Sequence, residues 1–304
     1  MKENIAGITG LAHIGWSTAD RDGAMALLCD AFGVEHGRSQ FSDQPYLSEV
    51  TGFPGCAIKI GFIQIDGDAT PLEILEYVRP EGGRMRMALG EPGAGHLCFE
   101  TDSIGAFAKK LEANGLSLCA EPRVMGFGPW QGQRGAFFAM PDGLVVELLE
   151  DGSGTAEGRL KKLHHVGYSV SDAAGISGTF CDIMGRECAG RWDAADGYFG
   201  AEAGITAAEY VKLSEGGFLL ELLQCEKGGM PQVATNMPGN VHICFMVDDL
   251  MSGYQALEAQ GLRFVHTPGR VTAGVNEGAM AGYLREPHEV RCEFFQGKPT
   301  RVAG

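Results

Sequence analysis

Apolar residues recur with helical spacing in four segments of the chain. In residues 20–33 the apolar positions Met25, Leu28, Cys29 and Phe32 follow the i, i+3, i+4, i+7 pattern, and Gly33 supplies a stop. Residues 102–115, 171–185 and 248–261 repeat this pattern. Each segment opens with Asp or Ser, residues that favour the N-terminal cap of a helix. The pattern therefore predicts four amphipathic helices.

Short apolar runs rich in β-branched and aromatic residues follow each helix and predict strands. They include residues 57–65, 71–78, 135–140, 144–150, 218–224 and 291–295. With one strand before each helix, the order is βαβββ, four times over. This order predicts an α+β fold in which pairs of units curve a mixed sheet into an open barrel, with the helices outside.

A histidine and a glutamate recur at matching places in the four units. The first strand of each unit carries His13, His96, His165 or His242, and a later strand carries Glu73, Glu147, Glu221 or Glu293. The separation is 51 residues both from His96 to Glu147 and from His242 to Glu293. The second half of the chain therefore repeats the pattern of the first half. We expect domains at 1–152 and 161–304, joined by a small, polar linker at 153–160 with the break near Gly158.

Charge and composition narrow the classes of partner. A net charge of -15 argues against nucleic acid and against anionic membrane surfaces. The sequence shows no run of about 20 apolar residues and no signal peptide, so we expect a soluble, cytoplasmic protein. Its nine cysteines form no CxxC pair, and several lie in apolar strands. Disulfides are therefore not expected.

Two histidines and two glutamates per half make a plausible ligand set for a divalent ion such as Zn, Ni, Co, Mn or Fe. We expect the ligands to group within each half. The first site would use His13, Glu73, His96 and Glu147, and the second His165, Glu221, His242 and Glu293. Four protein ligands would leave two positions for neighbouring oxygens of a small-molecule substrate.

Such a site suits proton transfer next to a carbonyl group. A metal ion that holds the carbonyl oxygen stabilises an enolate, and a carboxylate can take the proton from the adjacent carbon. With two glutamates per site, one can remove the proton and the other can return it. The candidate catalytic residues are therefore Glu73, Glu147, Glu221 and Glu293.

Other residues are weaker candidates. Trp130 lies in a glycine-rich loop that lines the first pocket or forms a surface turn, while Arg134, Arg191 and Tyr283 are candidates for contact with a substrate carboxylate or enol. By strand alternation, Cys98 and Cys244 share a face with the preceding histidine, while His164 faces away from His165.

The repeated residues resemble those of the vicinal oxygen chelate superfamily, which includes glyoxalase I, methylmalonyl-CoA epimerase, extradiol dioxygenases and bleomycin resistance proteins. MPDGLVVELLE at 140–150 is similar to the closing motif of that family, and the segment from Tyr46 to Phe62 resembles its epimerase and glyoxalase members. The resemblance implies tandem domains of this type and a metal-dependent isomerase, epimerase or lyase. It leaves open whether glutathione or a CoA thioester forms part of the substrate, and whether the chain forms a homodimer.

Two other functions remain open on the same resemblance. An Fe(II) extradiol dioxygenase would use His165, His242 and Glu293 as its triad, with Tyr283 nearby. The absence of a histidine shortly before Tyr283 and the presence of Glu221 as a fourth ligand both weaken this alternative. A resistance protein that only binds a small molecule is the other alternative, although such proteins usually lack the metal ligands.

Overall fold

The computed structural model describes residues 4–35, 37–65, 70–83, 87–153, 156–194, 197–226, 234–274, 276–285 and 289–298. Within these ranges the chain forms two eight-stranded sheets and five α-helices. The four units follow the predicted βαβββ order, and the α+β class is confirmed. No helix in the described part of the chain is long and apolar enough to span a membrane.

The strands fall into four units in chain order. Unit 1 holds β1 Ile8–Ser17, β2 Ser39–Ser42, β3 Ala57–Ile63 and β4 Leu72–Arg79. Unit 2 holds β5 Gly95–Thr101, β6 Arg123–Val124, β7 Arg134–Ala139 and β8 Val145–Glu150. Unit 3 holds β9 Leu160–Val170, β10 Glu187–Asp193, β11 Ile205–Lys212 and β12 Leu219–Cys225. Unit 4 holds β13 Val241–Val247, β14 Gly269–Arg270, β15 Met280–Leu284 and β16 Cys292–Gln296.

The helices are α1 Arg21–Ala26, α2 Tyr46–Thr51, α3 Ile104–Ala113, α4 Ala173–Gly178 and α5 Leu250–Ala259. Helices α1 and α4 continue as π-helical turns over Leu27–Ala31 and Thr179–Ile183. The four predicted helices are capped by side-chain oxygens of Asp20, Ser103, Asp172 and Asp249, each of which accepts a backbone N–H three residues on. Helix α2 was not predicted from the pattern.

The sheets do not follow the two halves of the sequence. Strand β1 pairs antiparallel with β13, so units 1 and 4 form the first sheet in the order β14-β15-β16-β13-β1-β4-β3-β2. Strand β5 pairs antiparallel with β9, so units 2 and 3 form the second sheet in the order β10-β11-β12-β9-β5-β8-β7-β6. The expectation that the ligands group within each half is therefore wrong. The domain bounds remain a prediction.

One face of each sheet packs into a continuous core. Ile14, Leu97, Val166 and Ile243 are buried there, each one residue away from a repeated histidine. Helical residues of every unit join the same core, among them Met25, Phe107, Phe180 and Leu257. Because strand side chains alternate, the histidines point to the other, concave face. The hydrophobic core thus fixes the side on which the polar residues meet.

The concave face also carries an unexpected neighbour of His165. The pairing of β5 with β9 shifts register between Cys98 opposite His165 and Phe99 opposite Leu163, so His164 is the extra residue of a β-bulge. The bulge breaks the alternation, and the Nδ1 atoms of His164 and His165 are 3.0 Å apart. The prediction that His164 faces away from His165 is therefore wrong.

A disulfide joins Cys181 to Cys188, seven residues apart, with the Cα atoms at 5.9 Å. Cys181 lies in the π-helical turn that follows α4, and Cys188 lies at the start of β10. Gly185 lies between them with a φ of 66°, which allows the chain to reverse direction. The expectation of no disulfides is thus wrong, because tertiary proximity rather than a CxxC motif brings these two sulfurs together.

Candidate metal centres

The eight repeated residues gather in two places. The first cluster consists of His13, Glu73, His242 and Glu293, from β1, β4, β13 and β16. The second cluster consists of His96, Glu147, His165 and Glu221, from β5, β8, β9 and β12. Each cluster takes one histidine and one glutamate from each of two units in opposite halves. The sequence predicted the residue types, while the sheet pairing decides how they are grouped.

Strand register explains why four ligands meet at the first cluster. Gly15 in β1 pairs with His242 on one side and with Glu73 on the other. Two residues back along β1, His13 pairs with Cys244, which in turn pairs with Glu293. Each of these two rows therefore supplies one histidine and one glutamate to the same face.

The second cluster repeats this register with the halves exchanged. Gly167 pairs with His96 on one side and with Glu221 on the other. His165 pairs with Cys98, which pairs with Glu147. Cys98 and Cys244 thus lie between the ligands, on the face predicted for them.

The glycines of these rows make room for the histidines and were missed by the sequence analysis. A Cβ atom on Gly15 would lie 1.8 Å from Cε1 of His242, and one on Gly167 would lie 2.0 Å from Cε1 of His96. Atoms this close cannot coexist, so only glycine fits at either position. A glycine two residues after the histidine in AHIG and HHVG was the available signal.

The spacing of the donor atoms in the first cluster fits a metal ion. Nε2 of His13 lies 3.3 Å from Oε2 of Glu73 and 3.4 Å from Oε2 of Glu293. Nε2 of His242 lies 3.6 Å and 3.3 Å from the same two oxygens. Donors about 2.0 to 2.2 Å from a shared ion in tetrahedral geometry stand roughly 3.4 Å apart. The donor set therefore fits a divalent ion that accepts nitrogen and oxygen ligands.

The donor atoms of the second cluster are also spaced as around a metal ion, and this cluster is more deeply buried. Distances from the two Nε2 atoms to the two Oε2 atoms run from 3.1 to 3.6 Å. Each of the four residues is 0% exposed. Nε2 of His96 and of His165, like Oε2 of Glu147 and of Glu221, has no hydrogen-bond partner among the described residues. Four buried polar atoms left in this state are costly, and a shared cation would satisfy them together.

The charges within the second cluster reinforce one another. Burial by itself would lower the pKa of His96, but the Glu147 and Glu221 carboxylates outweigh it and raise that pKa to about 9. Burial acts against ionisation of the two carboxyls, but His165 and His96 hold the pKa of both below the usual range. The carboxylates are therefore ionised, and a divalent ion would compete with protons for the histidines.

Aromatic side chains enclose the second cluster. The hydroxyl of Tyr198 donates to Oε1 of Glu147 at 2.5 Å, and that of Tyr210 donates to Oε1 of Glu221 at 2.6 Å. Trp130 stacks on the imidazole of His165, with ring centroids 4.3 Å apart and an angle of 12° between the planes. The two tyrosines and the role of His164 were missed by the sequence analysis, because alternating patterns do not show which loop folds over a site.

The first cluster instead opens into a cavity of about 90 Å³ that His13, Glu73 and Glu293 help to line. This volume has room for several water molecules or part of a small substrate. Helix α2, an additional helix in unit 1, covers one side of this cavity. Tyr283 and Tyr77 also line the cavity, and the ring of Tyr283 lies 5.5 Å from that of His242.

The weaker sequence candidates divide between the two clusters and the outer surface. Tyr283 lies at the first cluster, while Trp130 lies at the second. Arg134 is half-exposed and pairs with Glu150, 3.6 Å away, whose carboxylate also accepts a hydrogen bond from the N-terminus of α3. This places Arg134 on the helix side of the sheet.

Arg191 is also half-exposed and forms an ion pair with Glu209. Glu209 precedes Tyr210 in β11, and alternation puts these neighbours on opposite faces. Neither Arg134 nor Arg191 therefore joins a cluster.

The proposed extradiol triad is not assembled. His242 and Glu293 belong to the first cluster, but His165 belongs to the second, in the other sheet. That triad combines residues of one half, whereas the pairing of β1 with β13 brings His13 to His242 and Glu293 instead.

Comparison with known proteins agrees with this architecture. A family model described as the glyoxalase/bleomycin resistance protein/dioxygenase superfamily matches residues 12–132 and 164–279. The chain belongs to this superfamily. Each matched segment of this chain contains both repeated histidines and the first repeated glutamate of its half. The segments end before Glu147 and Glu293.

Individual proteins are also similar to this chain in sequence or in fold. A 2-epi-5-epi-valiolone epimerase from an Actinomyces species is 26% identical over 149 residues, which cover 48% of this chain and 81% of the epimerase. Glyoxalase I from Zea mays shares the fold with a TM-score of 0.66 at 15% identity, over 94% of this chain and 92% of the maize chain. A putative dioxygenase from Bacillus subtilis gives a TM-score of 0.62 at 16% identity, over 98% and 87% of the two chains.

Proposed function

We propose that the first cluster is the active site of a divalent-metal-dependent isomerase or epimerase. Its substrate is a small molecule with neighbouring oxygens, and the reaction moves a proton next to a carbonyl group. One observation carries the proposal: two histidines and two glutamates have metal-like spacing, and three of the four line a cavity with room for part of a small substrate. The epimerase relative supports this reaction class, and the glyoxalase I fold is consistent with it.

Glu73 and Glu293 are the proposed proton carriers. They occupy corresponding strands, β4 and β16, in the two units that form the first sheet. A divalent ion bound between them would stabilise negative charge on a substrate oxygen. One carboxylate accepts the proton from the carbon beside the carbonyl, and the other carboxylate returns a proton to the product. These two strands lie on either side of the central β13–β1 pair. Two carboxylates in equivalent places suit a reaction in which removal and return of the proton are chemically similar.

Tyr283 is the proposed hydroxyl donor to the substrate. It pairs with Glu293 across β15 and β16 and lines the cavity, and its burial raises the pKa of the phenol well above its usual value. The phenol therefore keeps its proton at neutral pH. No hydrogen bond joins Tyr283 to Glu293 among the described contacts, so the hydroxyl can donate to a substrate oxygen.

The cavity favours an uncharged substrate. Its lining is largely apolar, with polar contributions from Gln40, Thr51 and Asn276, and it includes no lysine or arginine among the described residues. A glutathione carboxylate or a CoA phosphate would need a cation nearby, and the lining supplies none. We therefore propose a neutral compound that carries a carbonyl and an adjacent hydroxyl, with no thiol carrier.

Hydrogen exchange tests this function directly. Protein loaded in turn with Zn, Co, Ni or Mn is incubated in D₂O with a panel of neutral α-hydroxy ketones, and NMR follows exchange of the proton beside the carbonyl. We expect exchange with at least one compound, with Glu73→Gln and Glu293→Gln reduced about 100-fold or more. The matched control, Glu221→Gln in the second cluster, should retain exchange.

Two results would overturn the proposal. Exchange that is equally fast in Glu73→Gln and Glu293→Gln would exclude these carboxylates as proton carriers. Oxygen uptake with a catechol and Fe(II), without any proton exchange, would instead favour a dioxygenase built on His13, His242 and one glutamate.

A further inference from the structure

We propose that the second cluster is a closed metal site that stabilises the fold and takes no part in turnover. The two clusters have the same ligands, but their surroundings give them different chemistry. This inference does not depend on which reaction the first cluster performs.

The second cluster is closed to solvent. Its four ligands are 0% exposed, and Tyr198 and Tyr210 around them are 2% and 1% exposed. By comparison, Glu73 and Glu293 in the first cluster are 8% and 7% exposed. A substrate oxygen therefore has no path to the second cluster unless the aromatic wall moves.

The aromatic wall separates the second cluster from a large cavity beside it. The cavity measures about 490 Å³ and is lined by Phe137, Tyr198 and Phe199, but by none of the four ligands. Tyr198 lies between this space and Glu147, since it lines the cavity and also donates to the carboxylate. Its hydroxyl reaches that position over Gly135, where a Cβ atom would be 1.8 Å from the Tyr198 oxygen.

Both carboxylates of the second cluster are held at Oε1 by a tyrosine, and a bound metal ion would hold them at Oε2 as well. Oε1 of Glu147 and of Glu221 accepts a tyrosine hydroxyl, while Oε2 points to the shared centre. A carboxylate fixed in this way cannot turn to collect a proton from a substrate. The described contacts include no tyrosine bond to Glu73 or Glu293, so the carboxylates of the first cluster keep that freedom.

One histidine of the second cluster, His165, is also held by its neighbours, whereas Nδ1 of His96 has no hydrogen-bond partner among the described residues. Trp130 stacks on His165, and His164 holds the Nδ1 atom of His165 at 3.0 Å. Such outer contacts orient a ligating imidazole and strengthen metal binding. At the corresponding bulge in β1 the residue is Ala12, and Nδ1 of His13 has no hydrogen-bond partner among the described residues. His165 therefore has firmer support from its neighbours than His13, the corresponding histidine in β1.

Metal release measures this difference. Zn-loaded protein should bind two equivalents per chain and release them to a colorimetric chelator in two phases. The fast phase comes from the first cluster, and the slow phase waits for local opening around the second. We expect the slow phase to be at least 10-fold slower, and its loss to lower the melting temperature more than loss of the fast phase.

Paired variants assign the phases. His242→Ala should abolish the fast phase and keep the slow one, whereas His96→Ala should do the reverse. Tyr198→Phe removes one hydroxyl and should speed the slow phase at least 10-fold, while Tyr283→Phe at the first cluster should leave the slow phase unchanged.

Three outcomes would overturn the proposal. The first is release of both equivalents at one rate, and the second is an unchanged slow phase in Tyr198→Phe. The third is the absence of any slowly released equivalent in His242→Ala, which tests the second cluster even if His96→Ala fails to fold.

Discussion

Gly15 lies opposite His242 across the β1–β13 pair, and the space where a Cβ would stand is filled by the imidazole, 1.8 Å from its Cε1 atom. Gly15 belongs to the first unit and His242 to the last. A residue with no side chain thus allows a ligand from the other half of the chain to reach the first cluster. Gly167 does the same for His96 at the second cluster.

We predict that Gly15→Ala disables the first cluster. The new methyl group would force the buried imidazole of His242 out of place, at a cost of about 1 to 3 kcal/mol of folding free energy. The variant should lose one metal equivalent, the fast one, together with turnover. Metal analysis and the exchange assay measure these two losses.

Gly10→Ala is the matched control for this substitution. Gly10 lies in the same strand, and a Cβ there meets no atom within 4 Å. Its metal content and turnover should equal those of the parent protein. Full metal content in Gly15→Ala would show that His242 is not a ligand.

Tyr283→Phe should slow turnover while leaving metal content unchanged. The substitution removes the hydroxyl proposed to contact the substrate, and loss of one such donor typically costs about 100-fold or more in kcat. Tyr210→Phe, the corresponding change at the second cluster, should leave kcat within about twofold. Steady-state kinetics on the substrate found by exchange makes the comparison, and equal effects of the two variants would argue against the assignment of Tyr283.

The pH dependence of stability should differ between metal-free and metal-loaded protein. In the metal-free fold the pKa of His96 is raised from 6.5 to about 9, so its contribution to stability is full below pH 6.5 and is lost as the pH rises towards 9. The lowered pKa of Glu147 acts in the opposite sense, and its contribution is lost as the pH falls below 4.5. The chelated protein should therefore be most stable between these limits.

Melting temperatures recorded from pH 5 to 9.5, with chelator and with Zn, test this expectation. The chelated protein should lose stability above pH 6.5, while the Zn-loaded protein should not, because metal replaces the protons at neutral and higher pH. A melting temperature that stays constant above pH 6.5 in the chelated protein would contradict the ionic state assigned to His96.

The disulfide predicts a simple thiol count. The sequence has nine cysteines, and the bond between Cys181 and Cys188 leaves seven free. Denatured, non-reduced protein should therefore titrate seven thiols, and reduction should reveal two more. Cys188→Ser should lower the free energy of unfolding by about 2 kcal/mol through loss of the short closed loop. Nine thiols before reduction would show that the bond does not form.

Much of the fold follows from patterns that the sequence displays openly. The four predicted helices, their caps at residues such as Asp20, Asp172 and Asp249, and the βαβββ order depend on local periodicity and local hydrogen bonds. The prediction that His164 faces away from His165 was wrong because a bulge inserts one residue and reverses the alternation on which that prediction relied.

The sequence by itself determined the repeated units and the eight residues that gather in the two clusters, since these depend on residue type and on the alternation of each strand. Only the tertiary structure decided which ligands meet, because the first strands of the four units have similar apolar patterns and could pair in more than one way. It also decided that Tyr198 and Trp130 enclose one cluster while α2 leaves a cavity at the other. Loops folding over a concave face carry no periodic signal, so the difference between the two sites appears only in three dimensions.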